Sequence, residues 1–216
     1  MQRASGVCGA KQAGKGRRQK TPGTWLKALG LMLVLLASEA SWAEGLPPTL
    51  RASLLVRILA YDRRMGTQPP PLTVAVLHRE GNSGSEQFGQ EFTRALELAS
   101  RGRSVLGRPV RIIRIGFREP SQLKEELARA HVVALYVCEG LEAHTDGIAR
   151  VTRQLSILSF AGSRAELDQG LAIGLSRQGD SPIILVRLSA ARAEGADLDA
   201  GLLSLSQIVE PSRSTP

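Results

Sequence analysis

The sequence predicts an α/β fold: a mostly parallel sheet flanked by helices, with an antiparallel hairpin at one edge near the C-terminus. Short apolar runs rich in β-branched residues alternate with segments of helical periodicity. The connections between them are short, which is typical of right-handed crossovers between parallel strands. Two apolar runs near the C-terminus, 171–177 and 182–188, are separated only by Gln-Gly-Asp-Ser, which indicates the hairpin.

The first half of this pattern contains two amphipathic helices with a strand between them. Apolar residues recur at helical spacing over 50–59, and a second apolar face covers Phe88, Phe92, Ala95, Leu96 and Ala99. The intervening run, Leu-Thr-Val-Ala-Val-Leu-His at 72–78, has the composition of a buried parallel strand. We therefore expect a helix, a strand and a second helix, in that order.

The same alternation continues to the C-terminus. Strands are predicted at 109–115, 131–137 and 155–160, with a helix opened by Pro120 and capped by Ser121 and a weaker helix around Ile148 and Val151. The segment 189–210 has helical character, a break near Gly195 and a restart for which Asp199 is the expected cap.

The chain divides into a leader, one domain and a tail. Residues 1–43 have a basic n-region, a short leucine-rich run and the small-residue pattern Ser41-Trp42-Ala43, which together predict a secretory signal peptide cleaved after Ala43. A permanent membrane anchor is the alternative, although the apolar run is shorter than the roughly 20 residues that cross a bilayer. We expect a single α/β domain at 44–210, a disordered tail at 211–216, and a periplasmic location.

The positive charge of the chain lies mainly in this leader. The net charge is +8, from 28 basic and 20 acidic residues. Seven of the basic residues and one acidic residue precede residue 44, which leaves 21 and 19 and a net charge of about +2 for the remainder. Nothing in this balance indicates a surface for the phosphates of nucleic acid, so we expect no nucleic-acid partner.

The exported chain contains a single cysteine. Cys8 leaves with the leader, so Cys138 has no partner for an intramolecular disulfide. Cys138 follows an apolar run and is expected to be buried at the end of a strand. A reactive thiol is the alternative, although the neighbouring Glu139 disfavours the thiolate.

The turn at 81–85 is a candidate anion-binding site. It lies between a strand and a helix, where backbone amides can hold a phosphate or carboxylate, and its candidate residues are Asn82, Ser83, Gly84 and Ser85. A plain turn with a capping box formed by Ser83 and Glu86 is the alternative. No nucleophile–base pair and no metal-ligand spacing of histidines is present in the sequence, so we predict no catalytic site, no metal and no cofactor.

A second candidate site lies at the end of the first helix, in Ile-Leu-Ala-Tyr-Asp-Arg-Arg at 58–64. Asp62 continues the apolar face of the helix, near a C-terminus whose dipole disfavours an acid. One interpretation is an ion pair with Arg63, Arg64 or a distant arginine. The other is a partner-binding edge made of Tyr61, Asp62 and Arg63, since tyrosine and arginine are enriched at interfaces.

The segment 186–210 resembles the closing signature of the YfiR family of periplasmic proteins. The residues that carry the resemblance are Ala190, Ala191, Arg192, Gly195, Leu202, Leu203, Ile208 and Val209. The leading helix and the four predicted strands from 72 to 160 also occur in the family's order. Arg187 departs from the family, which usually has asparagine there, and the cysteines that pair in some members are absent.

The resemblance implies a small α/β protein, often a homodimer, that binds another protein in the periplasm and is not an enzyme. In the best-studied members the partner is a membrane-anchored diguanylate cyclase, which is repressed through its periplasmic sensing region so that cyclic di-GMP and biofilm formation decrease. The alternative is a periplasmic ligand-binding module that works with a sensor kinase or an outer-membrane receptor; whether a small-molecule ligand is bound stays open. A secreted hydrolase would need a nucleophile–base pair.

Overall fold

The computed structural model describes residues 45–209, so the predicted leader and tail lie outside the described residues. The helices are α1 (Pro48–Leu59), α2 (Ser83–Ser100), α3 (Pro120–Arg129), α4 (Thr145–Leu155), α5 (Arg164–Asp168), α6 (Leu188–Ala193) and α7 (Ala200–Ser204). The strands are β1 (Leu72–Arg79), β2 (Val110–Phe117), β3 (Val132–Val137), β4 (Leu158–Ala161), β5 (Ile173–Gln178), β6 (Ser181–Val186) and β7 (Ser206–Ile208). Short 3-10 helices cover Arg63–Gly66 and Glu142–His144.

The seven strands form one sheet in the order β2-β1-β3-β4-β5-β6-β7. All neighbouring pairs are parallel except β5 and β6, which form the predicted antiparallel hairpin. The α/β fold class is confirmed. After β2 the chain returns to the other side of β1, so the direction in which the sheet grows reverses between β1 and β3.

Helices cover both faces of the sheet because its central strands are apolar on both sides. Val74 and Val76 of β1 face a core shared with α1 and α2, whereas Ala75 and Leu77 face a second core shared with α3, α4 and α5. Every residue of β3 is buried. This two-sided burial explains why the central strands are continuous apolar runs rather than alternating ones.

The beginnings of two helices differ from the sequence prediction. The N-cap of α2 is Asn82, whose side chain accepts a hydrogen bond from Ser85 N, so the predicted capping box at Ser83 is wrong by one residue. Ser121 does not cap α3: that helix starts at Pro120, and the Ser121 hydroxyl bonds the carboxylate of Glu119, 2.7 Å away.

The C-terminal segment is only partly helical. The break at Gly195 and the cap at Asp199 are confirmed, since Gly195 has a φ of 74° and the Asp199 carboxylate accepts from Gly201 N. Ser206–Ile208, expected in a helix, instead forms β7 and pairs in parallel with β6. The open edge of β6 offers backbone groups that a strand satisfies, and a three-residue strand leaves almost no periodic signal.

Within residues 45–209, no helix combines the length and hydrophobicity needed to cross a membrane.

Candidate functional site

The reversal between β1 and β3 creates a crevice at the carboxyl ends of the strands. In open α/β sheets, ligands bind in the crevice at such a switch point. Here the β1–α2 turn and the segment after β3 flank it, and Gly140 approaches Asn82 and Ser85 closely enough that a Cβ on Gly140 would lie 3.8–3.9 Å from them. Beside it is an open cavity of about 380 Å³.

This cavity is mainly cationic. Its lining consists of Arg79, Glu80, Phe117, Arg118 and His144. Glu80 and Arg118 form a two-bond ion pair, which lowers the pKa of Glu80. The rings of Phe117 and His144 have centroids 4.9 Å apart. The cavity can hold a small anion with a flat apolar part.

The candidate turn Asn82–Ser85 lies at this crevice, but nearby side chains already accept hydrogen bonds from several backbone N–H groups in and around the turn. The Glu86 carboxylate accepts from Gly81 N at 2.8 Å, and the Ser85 hydroxyl accepts from Arg79 N at 3.0 Å. Together with the Asn82 cap, these bonds explain the geometry of the turn without a ligand. The residues Asn82, Ser83 and Gly84 remain exposed.

Beneath the crevice lies a buried arginine that the sequence reasoning missed. Arg51 of α1 has a side chain only 5% exposed, and its Nη1 donates to Tyr136 Oη at 2.8 Å and to Gly162 O at 3.1 Å. The guanidinium also lies 5.5 Å from the centre of the Phe88 ring. A signal was available: Arg51 precedes Leu55 by four residues, which places it on the apolar face of α1.

Cys138 and Glu166 lie in the same buried region. Glu166 Oε2 accepts from the backbone N–H groups of Gly162 and Ser163, yet burial raises the pKa of its carboxyl to about 8. Cys138 is completely buried, as expected. Burial, followed by the charges of Glu166 and Glu139, raises the pKa of its thiol, so the thiol stays protonated and has little nucleophilic character.

The second candidate site, Tyr61-Asp62-Arg63, follows the end of α1 and lies toward the amino ends of the strands. Asp62 is completely buried. Its Oδ1 accepts from Arg64 N and from Asp197 N, each at 3.1 Å, and its Oδ2 lies 3.3 Å from Arg64 Nη2. Asp62 lies three residues after the end of α1 and caps the 3-10 helix that starts at Arg63. Two backbone N–H groups and the Arg64 guanidinium compensate its negative charge.

The two neighbours of Asp62 are accessible to different extents. Arg63 has a side chain 62% exposed and pairs with Asp199 at 2.7 Å, while Tyr61 is half-buried beside Gly201. Backbone bonds from Arg63 N to Asp197 O and from Asp199 N to Tyr61 O fix this segment against the C-terminal one. Tyr61 and Arg63 can therefore contact a partner, whereas Asp62 holds them in place.

A larger groove of about 740 Å³ lies at the amino ends of the strands. Two arginines line it, and both bind carbonyls near helix ends: Arg64 bonds Ser156 O after α4, and Arg111 bonds Ala130 O after α3. Stabilisation of helix C-termini accounts for these arginines without a ligand.

Within residues 45–209, no three histidine, cysteine or acidic side chains converge as metal ligands do.

Comparison with solved structures identifies the fold. The chain is similar to the ABC domain in complex with L-Trp from Streptococcus pneumonia (10% identity, TM-score 0.53, 73% of this chain and 62% of that chain). It is similar to a conserved domain protein from Vibrio cholerae (10%, 0.54, 75% and 60%) and to a ligand-free, open substrate-binding protein with adhesive properties from Clostridium difficile (12%, 0.53, 74% and 59%). The chain thus spans about three-fifths of the length of each, and at these identities the likeness concerns the fold alone.

Sequence comparison gives a more specific result. No protein of curated function matches the chain. A family model described as YfiR/HmsC-like matches residues 48–207, which include every helix and all but the last residue of the sheet.

Proposed function

The chain belongs to the YfiR/HmsC-like family of periplasmic regulatory proteins, and from this premise we propose that it binds and represses a membrane-anchored signalling protein. The partner class that we propose is a diguanylate cyclase, contacted through its periplasmic sensing region. In this proposal the chain is exported by its leader, acts without catalysis and lowers cyclic di-GMP.

The observation that carries the proposal is the edge formed by Tyr61 and Arg63. Tyrosine and arginine provide much of the binding energy at protein interfaces. Asp62 fixes the backbone around both residues through its bonds to Arg64 N and Asp197 N, so little backbone freedom is lost when a partner binds. An edge that is rigid before binding suits a repressor, which has to hold its partner in one state.

Deletion of the gene tests the function itself. We expect deletion to raise cellular cyclic di-GMP, measured by mass spectrometry, together with biofilm mass, and the complete chain to reverse both. A version lacking residues 2–43 should fail to complement, because the sensing region lies across the membrane. Unchanged cyclic di-GMP in the deletion strain, with the protein demonstrably expressed in the parent, would refute repression of a cyclase.

Substitutions at the edge test where the partner binds. Tyr61→Ala should weaken repression, since a central aromatic contact contributes on the order of 2 kcal/mol to binding. Arg150→Ala is the matched control, because Arg150 is an exposed arginine on α4, outside the Tyr61–Arg63 segment. If Tyr61→Ala and Arg63→Ala repress as well as Arg150→Ala at equal protein level, the partner binds elsewhere.

The cationic cavity supports a second candidate function, a ligand-binding module that works with a sensor kinase or an outer-membrane receptor. Arg79, Arg118 and His144 surround a cavity with a single carboxylate, which Arg118 already pairs. Calorimetric titration with inorganic phosphate and with benzoate, a small anion with a flat apolar part, tests this function. Saturable binding that Arg79→Met weakens supports it, and absence of binding by either anion removes it.

A further inference from the structure

Strand β2 forms an open edge of the sheet. Among the described residues, β2 pairs only with β1, so its other side has no backbone partner. Leu72 N donates to Pro109 O at one end and Glu80 N to Phe117 O at the other. Because backbone groups alternate along a strand, odd-numbered residues face β1, and Val110, Ile112, Arg114 and Gly116 direct N–H and C=O groups outward.

This edge carries a concentration of positive charge. Residues 101–118 contain six arginines and no aspartate or glutamate. Among the described residues, only Arg118 of these six has a carboxylate partner, Glu80. Arg111 and Arg108 bond uncharged oxygens, and Arg101, Arg103 and Arg114 are exposed. Residues 44–216 have a net charge of only about +2 with these six arginines included, so the concentration is local.

The positive surface continues onto α1. A cavity of about 330 Å³ lies between α1 and the loop before β2, and its charged lining residues are Arg57 and Arg103, with no acid among them. Apolar groups lie alongside: Ile112 and Ile113 of β2 are half-buried on opposite faces, and Leu106 is 46% exposed.

We propose that the outer edge of β2 is a docking site for an acidic, extended segment of a partner protein. The segment adds a strand to the sheet by bonding the outward backbone groups of Ile112, Arg114 and Gly116, and its carboxylates face Arg103 and Arg114. Strand addition takes its affinity from main-chain hydrogen bonds and its specificity from alternate side chains. Complementary charge selects the acidic segment and speeds association.

A different role for the same arginines predicts that the sign of their charge does not matter. Charged residues on an edge strand prevent edge-to-edge association of sheets, and for that purpose either sign suffices. For docking of an acidic segment the sign is decisive. The variant Arg103→Glu/Arg114→Glu therefore separates the two roles. Arg114→Lys keeps the positive charge and is compatible with either role.

The test uses two peptides blocked at both ends, TEVEVEVT and its lysine twin TKVKVKVT, titrated into the purified protein at physiological salt and followed by amide NMR. We expect saturable binding of the acidic peptide and none of the twin. Charge reversal at Arg103 and Arg114 should weaken binding at least ~10-fold, and Arg114→Lys by about twofold or less. Arg150→Glu, an exposed arginine on α4, is the matched control and should bind as the wild type does.

The amide signals provide a second readout. Exchange with solvent should slow at Ile112, Arg114 and Gly116, whose N–H groups face outward, with little change at Arg111 and Ile113. Failure of the acidic peptide to bind at millimolar concentration overturns the proposal, as does equal binding of both peptides or protection confined to another element. A further outcome is that the protein binds vesicles containing anionic lipid and not the peptide, and that the charge-reversed variant does not bind them. This outcome would also overturn the proposal and assign the edge to a membrane surface.

The proposal deepens the proposed function by naming the kind of segment a partner presents, and it rests on that function only in requiring a protein partner. The peptide titration needs no partner and no cyclic di-GMP readout. It can therefore fail while the deletion strain still shows repression, and it can succeed while repression is refuted.

Discussion

Arg51 and Tyr136 are 85 residues apart in the chain and are joined by a hydrogen bond of 2.8 Å in the interior. The bond connects α1 with the centre of the sheet. Because Arg51 also donates to Gly162 O, one guanidinium joins the first helix, β3 and the loop after β4. This junction lies directly beneath the crevice at the switch point.

Replacement of Arg51 by methionine should destabilise the protein by about 2–4 kcal/mol. Methionine keeps an apolar stem but leaves Tyr136 Oη and Gly162 O without their buried donor. Urea denaturation followed by circular dichroism measures the change in the free energy of unfolding. Arg57→Met, exposed on the same helix, is the control and should stay within about 0.5 kcal/mol of the wild type. Equal stability of the two variants would contradict the assigned role of Arg51.

The buried carboxyl of Glu194 should make the stability of the protein depend on pH. Its carboxylate accepts from the hydroxyls of Thr152 and Ser159, each at 2.6 Å, and from Ser159 N at 2.8 Å. Burial nevertheless raises its pKa from 4.5 to about 7. The neutral form fits the site because the Thr152 hydroxyl lies 3.1 Å from Ala149 O and can donate there while it accepts from the acid.

Since the folded state binds this proton more tightly than the unfolded state, the stabilisation is complete below about pH 4.5 and is lost as the pH rises through about 7. The free energy of unfolding should fall between pH 5 and pH 8, with Glu194 contributing on the order of 2–3 kcal/mol. In Glu194→Gln the fall should be smaller by that amount. Denaturation at a series of pH values measures it, and an unchanged slope in the variant would sink the idea.

Asp62 should be among the residues least tolerant of substitution. Asp62→Ala removes the partner of Arg64 and leaves two N–H groups without an acceptor, which costs about 3–5 kcal/mol. Asp62→Asn should cost less, because an amide oxygen still accepts from both N–H groups. Asp180→Ala, at the exposed tip of the hairpin, should have almost no effect. Thermal melts of the three variants provide the measurement, and similar melting temperatures for Asp62→Ala and Asp180→Ala would exclude a structural role.

Substitution of Cys138 should change the stability of the protein and leave its function intact. Cys138→Ser places a hydroxyl in a buried apolar environment at a cost of about 1–3 kcal/mol, whereas Cys138→Ala should cost less polar desolvation. The native thiol should react with a thiol reagent only after unfolding, because it is buried and its pKa is raised. Loss of repression by Cys138→Ser at an unchanged melting temperature would point to a working thiol instead.

Features determined by local sequence were predictable. The apolar runs of β1 and β3 and the periodic face of α2 gave the correct elements, and the short connection at 178–181 gave the hairpin. Each depends on neighbouring residues, whose periodicity survives any tertiary arrangement. The strand β7 was missed because the open edge of β6 decides its conformation, not its own three residues.

The candidate sites were less predictable because their geometry depends on distant residues. The sequence placed Asp62 beside arginines, but its bond to Asp197 N joins residues 135 positions apart. Arg51 lay on the apolar face of its helix, but the phenol that binds it belongs to β3. The positive charge of 101–118 was readable as composition, whereas its position along an open sheet edge required the strand order.

The pairing of Asp62 with the segment around Asp197 links the first and last parts of the domain. A chain that leaves the ribosome with its amino end first carries α1 and Asp62 long before residue 197 follows. Until then the Asp62 carboxylate cannot accept the hydrogen bond from Asp197 N, and the end of α1 has no C-terminal segment to pack against. This contact therefore forms only when almost the entire polypeptide is present, and products truncated before residue 197 lack it.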